Sequence, residues 1–432
     1  MAENQVIVNP PSQPHDPYAA LRQRDFRLLI AGQFITRLAN NMLSFAVGWE
    51  LWLRTGSAMA LGLVGLVQVI PVLLFSLLAG YVADQFNRKR IVMFTQALLA
   101  ISSLGLAWIS LSQGPVWAVY LCLFGIGLAR AFNGPAASTL LPQTVPPHIF
   151  SNAATWSSSA GQMASIIGPA IGGLLVALNN NVTPIYVFDA LASLIFLALV
   201  LLIRGRPLAL SSRAATLDSL KEGVRFIYNT KEILAAITLD MFAVLFGGAT
   251  ALLPIFATDI LKVGPSELGI LRAAPAVGAF LMALLVAHLP PFRQAGRTLL
   301  LAVAGFGLAT IVFGLSRNFW LSVAMLAVLG GLDNISVVIR STLILTRTPD
   351  EMRGRTSSVS SLFISISNEL GAFESGATAQ LFGPIASVIG GGIGTLLVVA
   401  WVARTWPQLT RLKTLDVPAQ KEVQGSQPPA AE

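Results

Sequence analysis

Long stretches of the chain contain no charged residue, and turn residues or short charged segments separate these stretches. No Asp, Glu, Lys or Arg occurs from Ser57 to Ala83 or from Ile91 to Ala129. A helix of about 20 apolar residues crosses a hydrocarbon core about 30 Å thick. Twelve such segments can be placed, and each is predicted to be a transmembrane helix. The predicted spans are residues 26–53, 58–84, 90–112, 116–140, 152–178, 184–204, 232–258, 266–289, 298–316, 318–346, 356–380 and 384–406.

The composition supports a protein that crosses the lipid bilayer many times. The chain is 54% hydrophobic and only 11% charged, whereas soluble domains carry about 25% charged residues. A net charge of +8 would also suit nucleic-acid binding. The basic residues, however, fall mostly in short loops between apolar segments, so no nucleic-acid partner is expected.

The basic residues also predict the orientation in the membrane. With the first loop outside, the external loops receive Arg54, Lys262 and Arg317, and four more arginines lie within spans. The remaining 21 of the 28 basic residues lie on the tails and on the even-numbered loops. Cytoplasmic loops carry the excess of Lys and Arg in membrane proteins, so both termini are predicted to be cytoplasmic.

The two halves of the chain resemble each other. The segment from Ser138 to Pro146 recurs 203 residues later as the segment from Ser341 to Pro349, and Gly168 meets Gly371 at the same offset. Duplicated six-helix units are typical of secondary transporters, whose binding site lies between the units. The predicted fold is therefore all-α, with twelve transmembrane helices as two pseudo-symmetric six-helix bundles around a central cavity.

The predicted domain boundaries follow from this duplication. Residues 18–206 and 232–406 form the two bundles, and residues 207–231 form a cytoplasmic linker between them. Within the linker, apolar residues at helical spacing from Leu217 to Tyr228 predict an amphipathic helix on the membrane surface. Residues 1–17 are predicted to be a disordered tail, and residues 407–432 a cytoplasmic tail.

A charged segment between the second and third spans carries a recognisable motif. It resembles the Gly-x-x-x-Asp-x-x-x-Arg-Lys-x signature of the major facilitator superfamily, in which this loop latches the two halves together. The matching residues, with one additional base, are Gly80, Asp84, Arg88, Lys89 and Arg90. Asn87 replaces the usual glycine and is expected to keep a left-handed turn, because Asn tolerates that conformation. Simple positive-inside anchoring would explain the bases but not Gly80 or Asp84.

Two further segments resemble motifs of the same superfamily. Arg130 followed by Gly134 is similar to the motif of the fourth helix, and Arg130 is assigned to the latch with the charged loop. Residues Gly168, Pro169, Gly172 and Gly173 are similar to the fifth-helix motif of the antiporter branch. Small residues at this spacing also allow ordinary close packing of helices, and that interpretation stays open.

The resemblance covers residues 18–406 and is closest to bacterial siderophore exporters of the enterobactin type. It implies a secondary active, proton-coupled exporter in the bacterial cytoplasmic (inner) membrane, working by alternating access as a monomer. The expected substrate is a small molecule, namely a siderophore, with multidrug or macrolide efflux as the alternative. No cofactor is expected, because the proton gradient supplies the energy.

Other functional classes lack their residues. None of the six lysines follows a glycine, so the phosphate-binding loop of an ATP-driven pump is missing. Three peripheral histidines and Cys122 do not supply the constellation of a membrane enzyme or a metal site. Scattered single charges fit a carrier better than the charged ring of a channel.

Ionisable residues inside the spans are candidates for proton coupling, because a charge in hydrocarbon is costly unless it serves a function. A carboxyl group partly removed from water can load and release a proton, and the predicted order is Asp240, Glu369, then Asp333. Asp189 and Glu374 lie nearer the external ends and are interpreted as structural or gating residues. The alternative for each acid is a permanent ion pair with an arginine of the spans, namely Arg37, Arg130, Arg272 or Arg340.

Polar residues at helical spacing mark three spans that face a cavity. The first, fifth and eleventh spans each carry one such stripe. The stripes supply the candidate substrate-binding residues, which are Arg37, Asn41, Ser44, Gln162, Ser365 and Asn368.

Overall fold

The computed structural model describes residues 16–204, 217–290 and 292–413, and these residues form helices joined by short connections. The first half comprises α1 (Arg24–Thr55), α2 (Ala58–Gln85), α3 (Arg88–Leu111), α4 (Val116–Thr144), α5 (Phe150–Asn179) and α6 (Thr183–Leu202). A linker helix, α7 (Leu217–Asn229), leads to the second half. The second half comprises α8 (Lys231–Phe246), the single turn α9 (Leu253–Ile255), α10 (Pro265–His288), α11 (Ala295–Leu315), α12 (Phe319–Arg347), α13 (Asp350–Phe382), α14 (Pro384–Thr405) and the short α15 (Pro407–Thr410).

The all-α fold with twelve long segments in two bundles is confirmed. Most helix ends lie within three residues of the predicted ends, because the turn residues that suggested them also cap the helices. The Ser57 side chain accepts a hydrogen bond from the Ala60 amide at the start of α2. Asn180 ends α5 in the left-handed conformation with a φ of 49°. Apart from the seventh span, the largest difference is at α13, which begins at Asp350 instead of residue 356.

Ten of these segments are long and apolar enough to cross a membrane by length and composition. The two that do not meet this criterion are α1 and α13, although they are the longest helices, with 32 and 33 residues. Both carry the polar stripes described above, and both lie against the interior of the molecule. Their polarity therefore reflects the cavity that they face.

The two bundles repeat one packing pattern. In the first bundle α1 packs on α5 and α6, α3 packs on α4 and α6, and α2 packs on α4. In the second bundle α8 packs on α13 and α14, α11 packs on α12 and α14, and α10 packs on α12. The pairs coincide when α1 to α6 are matched with α8, α10, α11, α12, α13 and α14. The three-dimensional arrangement thus repeats with the same period as the sequence.

The bundles meet through two equivalent helix pairs, α2 with α13 and α5 with α10. Because consecutive long helices alternate in direction, the molecule has two ends. We call the end with the α2–α3, α4–α5, α10–α11 and α12–α13 connections and the described chain termini the tail face. The opposite end, with the α1–α2, α3–α4, α5–α6 and α11–α12 connections, is called the far face.

The seventh predicted span, 232–258, is not one continuous helix, and that part of the prediction is wrong. Helix α8 ends at Phe246, and the chain continues through a 3-10 turn, Gly248–Leu252, the turn α9 and a π-type turn, Phe256–Ile260. Gly248 packs directly against α13, where a Cβ atom would lie 2.5 Å from the Gly371 carbonyl oxygen. Pro254 also lacks the amide hydrogen that a regular helix would use. The irregular segment therefore lies at the bundle interface, where secondary transporters also have broken helices.

Helix α7 covers the predicted amphipathic segment and lies at the tail face. Ile227 is buried, whereas Val224 and Tyr228 are exposed. Gly223 packs against the Arg355 carbonyl of α13, and Glu222 forms an ion pair with Arg355. The side chains of Leu217 and Leu220 lie outside the described part of the chain, as do residues 205–216 of the linker. The membrane-surface location and the domain boundaries stay predictions.

Candidate transport site

A cavity of about 380 Å³ lies between the two bundles, and we call it the central cavity. Both halves of the chain contribute to its wall, including the irregular segment after α8. The polar and charged residues of the lining are Asn41, Ser44, Gln68, Arg130, Ser165, Thr250, Arg272 and Glu369. A polar cavity at the interface of duplicated bundles is where a secondary transporter holds its substrate.

A second cavity, of about 520 Å³, lies within the first bundle among α1, α3, α4, α5 and α6. We call it the side cavity. Its polar lining residues are Gln33, Thr36, Arg37, Asn40, Asn41, Gln96, Arg130, Asn133, Ser158, Gln162 and Ser165. Asn41, Arg130 and Ser165 line both cavities, so the two spaces adjoin at these side chains.

Arg130 stands at the junction of the two cavities and is held by neutral amides. Its Nη1 donates to Gln68 Oε1 at 2.6 Å, and its Nη2 donates to Asn40 Oδ1 at 2.8 Å. The three side chains belong to α4, α2 and α1. Arg130 thus lies inside the molecule, among cavity-lining residues, and not beside the charged α2–α3 connection with which the sequence grouped it.

Two further arginines reach into the cavities. Arg37 lies over Gly161, and its Nη1 donates to the Ser157 carbonyl at 3.3 Å. Arg272, on α10, crosses the bundle interface and donates to Ser44 Oγ on α1 at 3.2 Å. Among the described side chains, neither arginine takes part in an ion pair.

Glu369 is the carboxylate of the central cavity. It lies on α13 against Gly65 of α2, where a Cβ atom would be 3.2 Å from Glu369 Oε2. It is within electrostatic range of Arg130. Glu369 therefore lies at the contact between the bundles, where its charge can respond to the contents of the cavity.

Asp240 and Asp333 lie elsewhere, inside the second bundle. Asp240 forms an ion pair with Arg340, and Asp240 and Arg340 are only 5% and 4% exposed. Both aspartates line a space of about 10 Å³, which is about the size of one water molecule. The sequence analysis left open whether Asp240 pairs with an arginine, and the structure shows that its partner is Arg340. Neither aspartate lines the central cavity.

The two remaining acids of the spans differ in their surroundings. Asp189 is buried on α6 and accepts a hydrogen bond from Ser103 Oγ at 2.6 Å, which ties α3 to α6. Glu374 lies one and a half turns from Glu369 on α13 and accepts from Ser375 Oγ at 3.4 Å. Neither lines one of the cavities described here.

The candidate substrate residues fall into two groups. Arg37, Asn41 and Gln162 line the side cavity, and Asn41 and Ser44 line the central cavity. On α13, Ser365 and Asn368 are exposed and donate to carbonyls of their own helix. They share a face with Ala372, four residues beyond Asn368, which lines the central cavity. The α13 residues therefore lie on the approach to the cavity and not in its wall.

The charged connection at the tail face is described only in part. The backbone of α2 runs through Gly80 to Gln85, but the side chain of Asp84 lies outside the described part of the chain. Lys89 Nζ donates to the carbonyls of Leu201 and Ile203, both at 2.8 Å, and so caps the end of α6. Arg88 is partly buried and Arg90 is exposed. The latch role of this segment stays a prediction.

The interpretation of Asn87 as a left-handed residue is wrong. Its φ is −62°, and its side chain accepts a hydrogen bond from the Lys89 amide at 3.0 Å. Asn87 is therefore the N-cap of α3, which is the other role that Asn favours. The connection between α2 and α3 needs no residue with positive φ.

The Gly-Pro segment of α5 packs in two directions. Gly168 and Gly172 face α1, where a Cβ atom on Gly168 would lie 2.7 Å from the Asn41 Cβ. Gly173 faces α10 across the bundle interface, and a Cβ there would lie 3.0 Å from the Gly269 Cα. Pro169 lines the central cavity. The segment thus joins α1, α5 and α10 by close packing of small residues.

The bundles are in contact at the far face and open at the tail face. Near the far face, Trp52 Nε1 donates to Thr258 Oγ1 at 2.8 Å, and Ser57 Oγ donates to Gln380 Oε1 at 3.1 Å, both between bundles. Toward the tail face, Ser158 of α5 and Ser361 of α13 are exposed. Because Ser158 also lines the side cavity, that cavity is accessible from the tail-face half of α5.

Close packing at the far face predicts the effect of a bulky substitution. Gly376→Leu is expected to separate the bundles there and to reduce transport severely, because a Cβ at Gly376 would lie 2.5 Å from the Gly62 Cα. Distances between spin labels on Leu53 and Phe382, at the far ends of α1 and α13, measured by pulsed electron resonance in a Cys122→Ser background, should increase.

The matched control is Gly390→Leu on α14, where a Cβ would meet nothing within 4 Å. Unchanged label distances in the Gly376→Leu protein would show that Gly62 and Gly376 do not hold the far face closed.

Several residues of the site escaped the sequence interpretation. Gln68 and Asn40 hold Arg130, and Gln96 lines the side cavity. A buried cluster near the far face was missed as well: Tyr186 donates to Glu50 Oε2 at 2.6 Å, and Arg54 pairs with Glu50 at 3.2 Å. Gln68 and Gln96 could have been found from the sequence, because each is a polar residue inside a long stretch without charges.

Twelve helices in two duplicated bundles around an interfacial cavity define a membrane transporter of the major facilitator superfamily. The chain matches the model of the transmembrane secretion effector family over residues 15–428, and it belongs to that family. The family is one of multi-pass membrane transporters of small molecules and not a class of enzymes.

Curated relatives and solved structures are consistent with this assignment. The enterobactin exporter EntS of Shigella boydii is 26% identical over 389 residues, which cover 90% of this chain and 93% of that protein. The enterobactin exporter EntS of Escherichia coli O157:H7 matches with the same identity and coverage.

Among solved structures, a bacterial homolog of the human lysosomal transporter Spinster, inward-facing and occupied, has a TM-score of 0.71 at 17% identity, covering 92% of this chain and 99% of that chain. The nucleoside transporter NupG has a TM-score of 0.64 at 14% identity, covering 90% of this chain and 100% of that chain. At these identities the structures show the shared fold.

Proposed function

We propose that this protein is a proton-coupled secondary exporter that moves a siderophore of the enterobactin type out of the bacterial cytoplasm. The observation that carries the proposal is the polar, arginine-rich cavity between the duplicated bundles, together with the similarity to enterobactin exporters over 90% of the chain. Catecholate and hydroxamate oxygens are acidic or anionic, and guanidinium groups bind such oxygens with charge-assisted hydrogen bonds.

The size of the site suits a substrate larger than a simple metabolite. The central and side cavities measure about 380 and 520 Å³ and adjoin at Arg130. Sites for drug-sized ligands measure about 300 to 1,000 Å³. A branched, polar substrate could therefore place one part in each cavity.

The proposed location is the bacterial inner membrane, with the tail face in the cytoplasm. The tail face carries the bases of the α2–α3 connection, from Arg88 to Arg90, and the bases of α7 and its flanks. The positive-inside rule favours this face as the cytoplasmic one. In this orientation the open cavities receive substrate from the cytoplasm. The transporter is proposed to work as a monomer embedded in lipid.

Among the candidates for proton coupling, we propose Glu369 ahead of Asp240 and Asp333. Glu369 lines the central cavity within electrostatic range of Arg130, whereas Asp240 is occupied by Arg340. A carboxylate between the bundles changes its surroundings whenever the bundles move, and it can therefore exchange protons in step with transport. Asp333 lies with Asp240 in the same closed space inside one bundle, so both aspartates rank below Glu369.

Export would proceed by rocking of the bundles about the central cavity. In the outward-open state the small-residue contact of α2 with α13, at Gly62 and Gly376, would separate at the far face. The tail face would then close, which would bring the α2–α3 connection with Gly80 and Asp84 toward the second bundle as the proposed latch. The Gly168–Gly173 segment would act as the pivot, because it joins α1, α5 and α10.

The test is to delete the gene in its host and to grow the cells under iron limitation. Siderophore is expected to accumulate inside the deletion strain and to fall in the medium, and a plasmid copy should restore export. A plasmid copy with Gly376→Leu serves as a transport-impaired control with the same expression. Normal siderophore export together with increased sensitivity to macrolides or cationic dyes would contradict the proposal and favour drug efflux.

A further inference from the structure

The side cavity has an occupied counterpart in the second bundle. The 203-residue repeat matches Arg37 with Asp240 and Arg130 with Asp333. These residues line equivalent spaces in the two bundles. The arginines line the side cavity, and the aspartates line the small space beside α8 and α12. Asn133 and Ser336 are matched in the same way. The two bundles thus carry the same pocket with opposite charges.

The counterpart is filled by the protein itself. The position in the second bundle that matches Ala137 is Arg340, and its guanidinium pairs with Asp240. The free space there measures about 10 Å³. In the first bundle Ala137 lines a space of about 520 Å³. A large cation built into the chain neutralises the acidic pocket, and only a methyl group stands at the matching position of the basic pocket.

Among the described residues, no acid lines the basic pocket. The residues that line the side cavity include Arg37 and Arg130 but no Asp or Glu. Among the described side chains, both arginines donate only to neutral oxygens, those of Ser157, Gln68 and Asn40. An arginine inside a membrane protein normally finds a counter-charge or water. Glu369 of the central cavity is within electrostatic range of Arg130, but no acid lines the side cavity beside Arg37, and an anionic ligand would supply a counter-charge there.

We propose that the side cavity is a substrate subsite for an anionic aromatic diol, held between Arg37 and Arg130 in the place that Arg340 takes in the second bundle. Asn40 bonds to Arg130 and lies one turn from Arg37, so both guanidinium groups flank one helical turn. Both guanidinium groups line the same cavity, and each can bind an anionic oxygen with charge-assisted hydrogen bonds.

The remaining lining suits an aromatic ring with a hydroxyl group. Phe196 and Leu99 form an apolar side of the cavity and are 2% and 9% exposed. Gln96 is 2% exposed, and its Oε1 has no hydrogen-bond donor among the described residues. A phenolic hydroxyl would supply that donor. This inference rests on the proposed export function for the identity of the whole substrate, but the subsite can be tested alone.

The test measures binding of 2,3-dihydroxybenzoate to the purified full-length protein in nanodiscs by calorimetry. Ala137→Glu builds the missing anion into the cavity, as Arg340 builds a cation into its counterpart. It is expected to weaken binding at least tenfold while the protein stays folded by thermal unfolding. Ala137→Gln has nearly the same size without the charge and should bind at least three times more tightly than Ala137→Glu.

Four arginine variants locate the bound group. Arg37→Gln is expected to weaken binding at least tenfold, and Arg37→Lys is expected to weaken it less. Arg317 is an exposed arginine at the far face, and Arg317→Gln should leave binding unchanged. Unchanged affinity in the Ala137→Glu protein would overturn the subsite. A loss of affinity in Arg272→Gln as large as that in Arg37→Gln would also overturn it, because the diol would then lie in the central cavity. If binding follows the prediction but the deletion strain exports siderophore normally, the subsite stands and the proposed whole substrate does not.

Discussion

Glu369→Gln is expected to abolish accumulation driven by a pH gradient while leaving exchange of substrate at equal pH intact. A gradient of one pH unit supplies about 1.4 kcal/mol per proton, which corresponds to about a tenfold concentration ratio of the substrate. Gln keeps the size and the hydrogen-bonding capacity of Glu but cannot carry a proton through the cycle. Glu369 is the carboxylate of the central cavity, so its loss should remove this ratio.

The measurement uses proteoliposomes with an imposed pH gradient, followed by exchange of labelled substrate at equal pH. Glu374→Gln is the matched control, because Glu374 lies on the same helix about 140° away and lines neither cavity described here. A Glu369→Gln protein that still accumulates substrate about tenfold per pH unit would refute Glu369 as the coupling residue.

The second large effect concerns stability. Asp240→Asn is expected to lower the free energy of unfolding by about 3 to 5 kcal/mol, because it leaves Arg340 buried without its ion-pair partner. Asp333 lines the same space and can take over part of the interaction, which favours the lower end of this range. The variant should therefore lose transport through loss of folded protein.

The double variant Asp240→Asn with Arg340→Gln separates stability from coupling. Replacing both members of a buried ion pair is often close to neutral, so the double variant should regain most of the thermal stability and the gradient-driven transport. A double variant that is stable but uncoupled would make Asp240 the coupling residue, which is the first choice that the sequence alone suggested. Thermal unfolding and proteoliposome transport on the same preparations decide between the two results.

The fold could be predicted from the sequence because it depends on features that are local in the chain. A charge-free stretch and a capping residue fix each helix, so ends such as Ser57 and Asn180 were within reach. The break after Phe246 could not be predicted from the sequence, because it depends on close packing of Gly248 against α13. Apolar periodicity says where a helix lies but not which distant helix touches it.

The sequence indicated many of the residues that line the site, but it did not indicate which side chains contact each other. The polar stripe of α1 directed attention to Arg37, Asn41 and Ser44, and these residues line the two cavities. The ion pair of Asp240 with Arg340 joins residues 100 positions apart on different helices, and helical spacing within one span carries no information about it. Gln68 and Gln96 lay in spans without charges, and their role became visible only when α2 and α3 were placed beside α1 and α4.

The low apolarity of α1 and α13 has a consequence for how the protein reaches the membrane. These two helices do not meet the criterion for crossing a bilayer by length and composition, whereas their neighbours α2 and α14 do. The insertion machinery releases a segment into lipid according to its hydrophobicity. We therefore expect α1 to leave the translocon together with α2, and α13 together with α14, as helical hairpins. The residues that line the transport path thus make biogenesis depend on the order in which helices emerge from the ribosome.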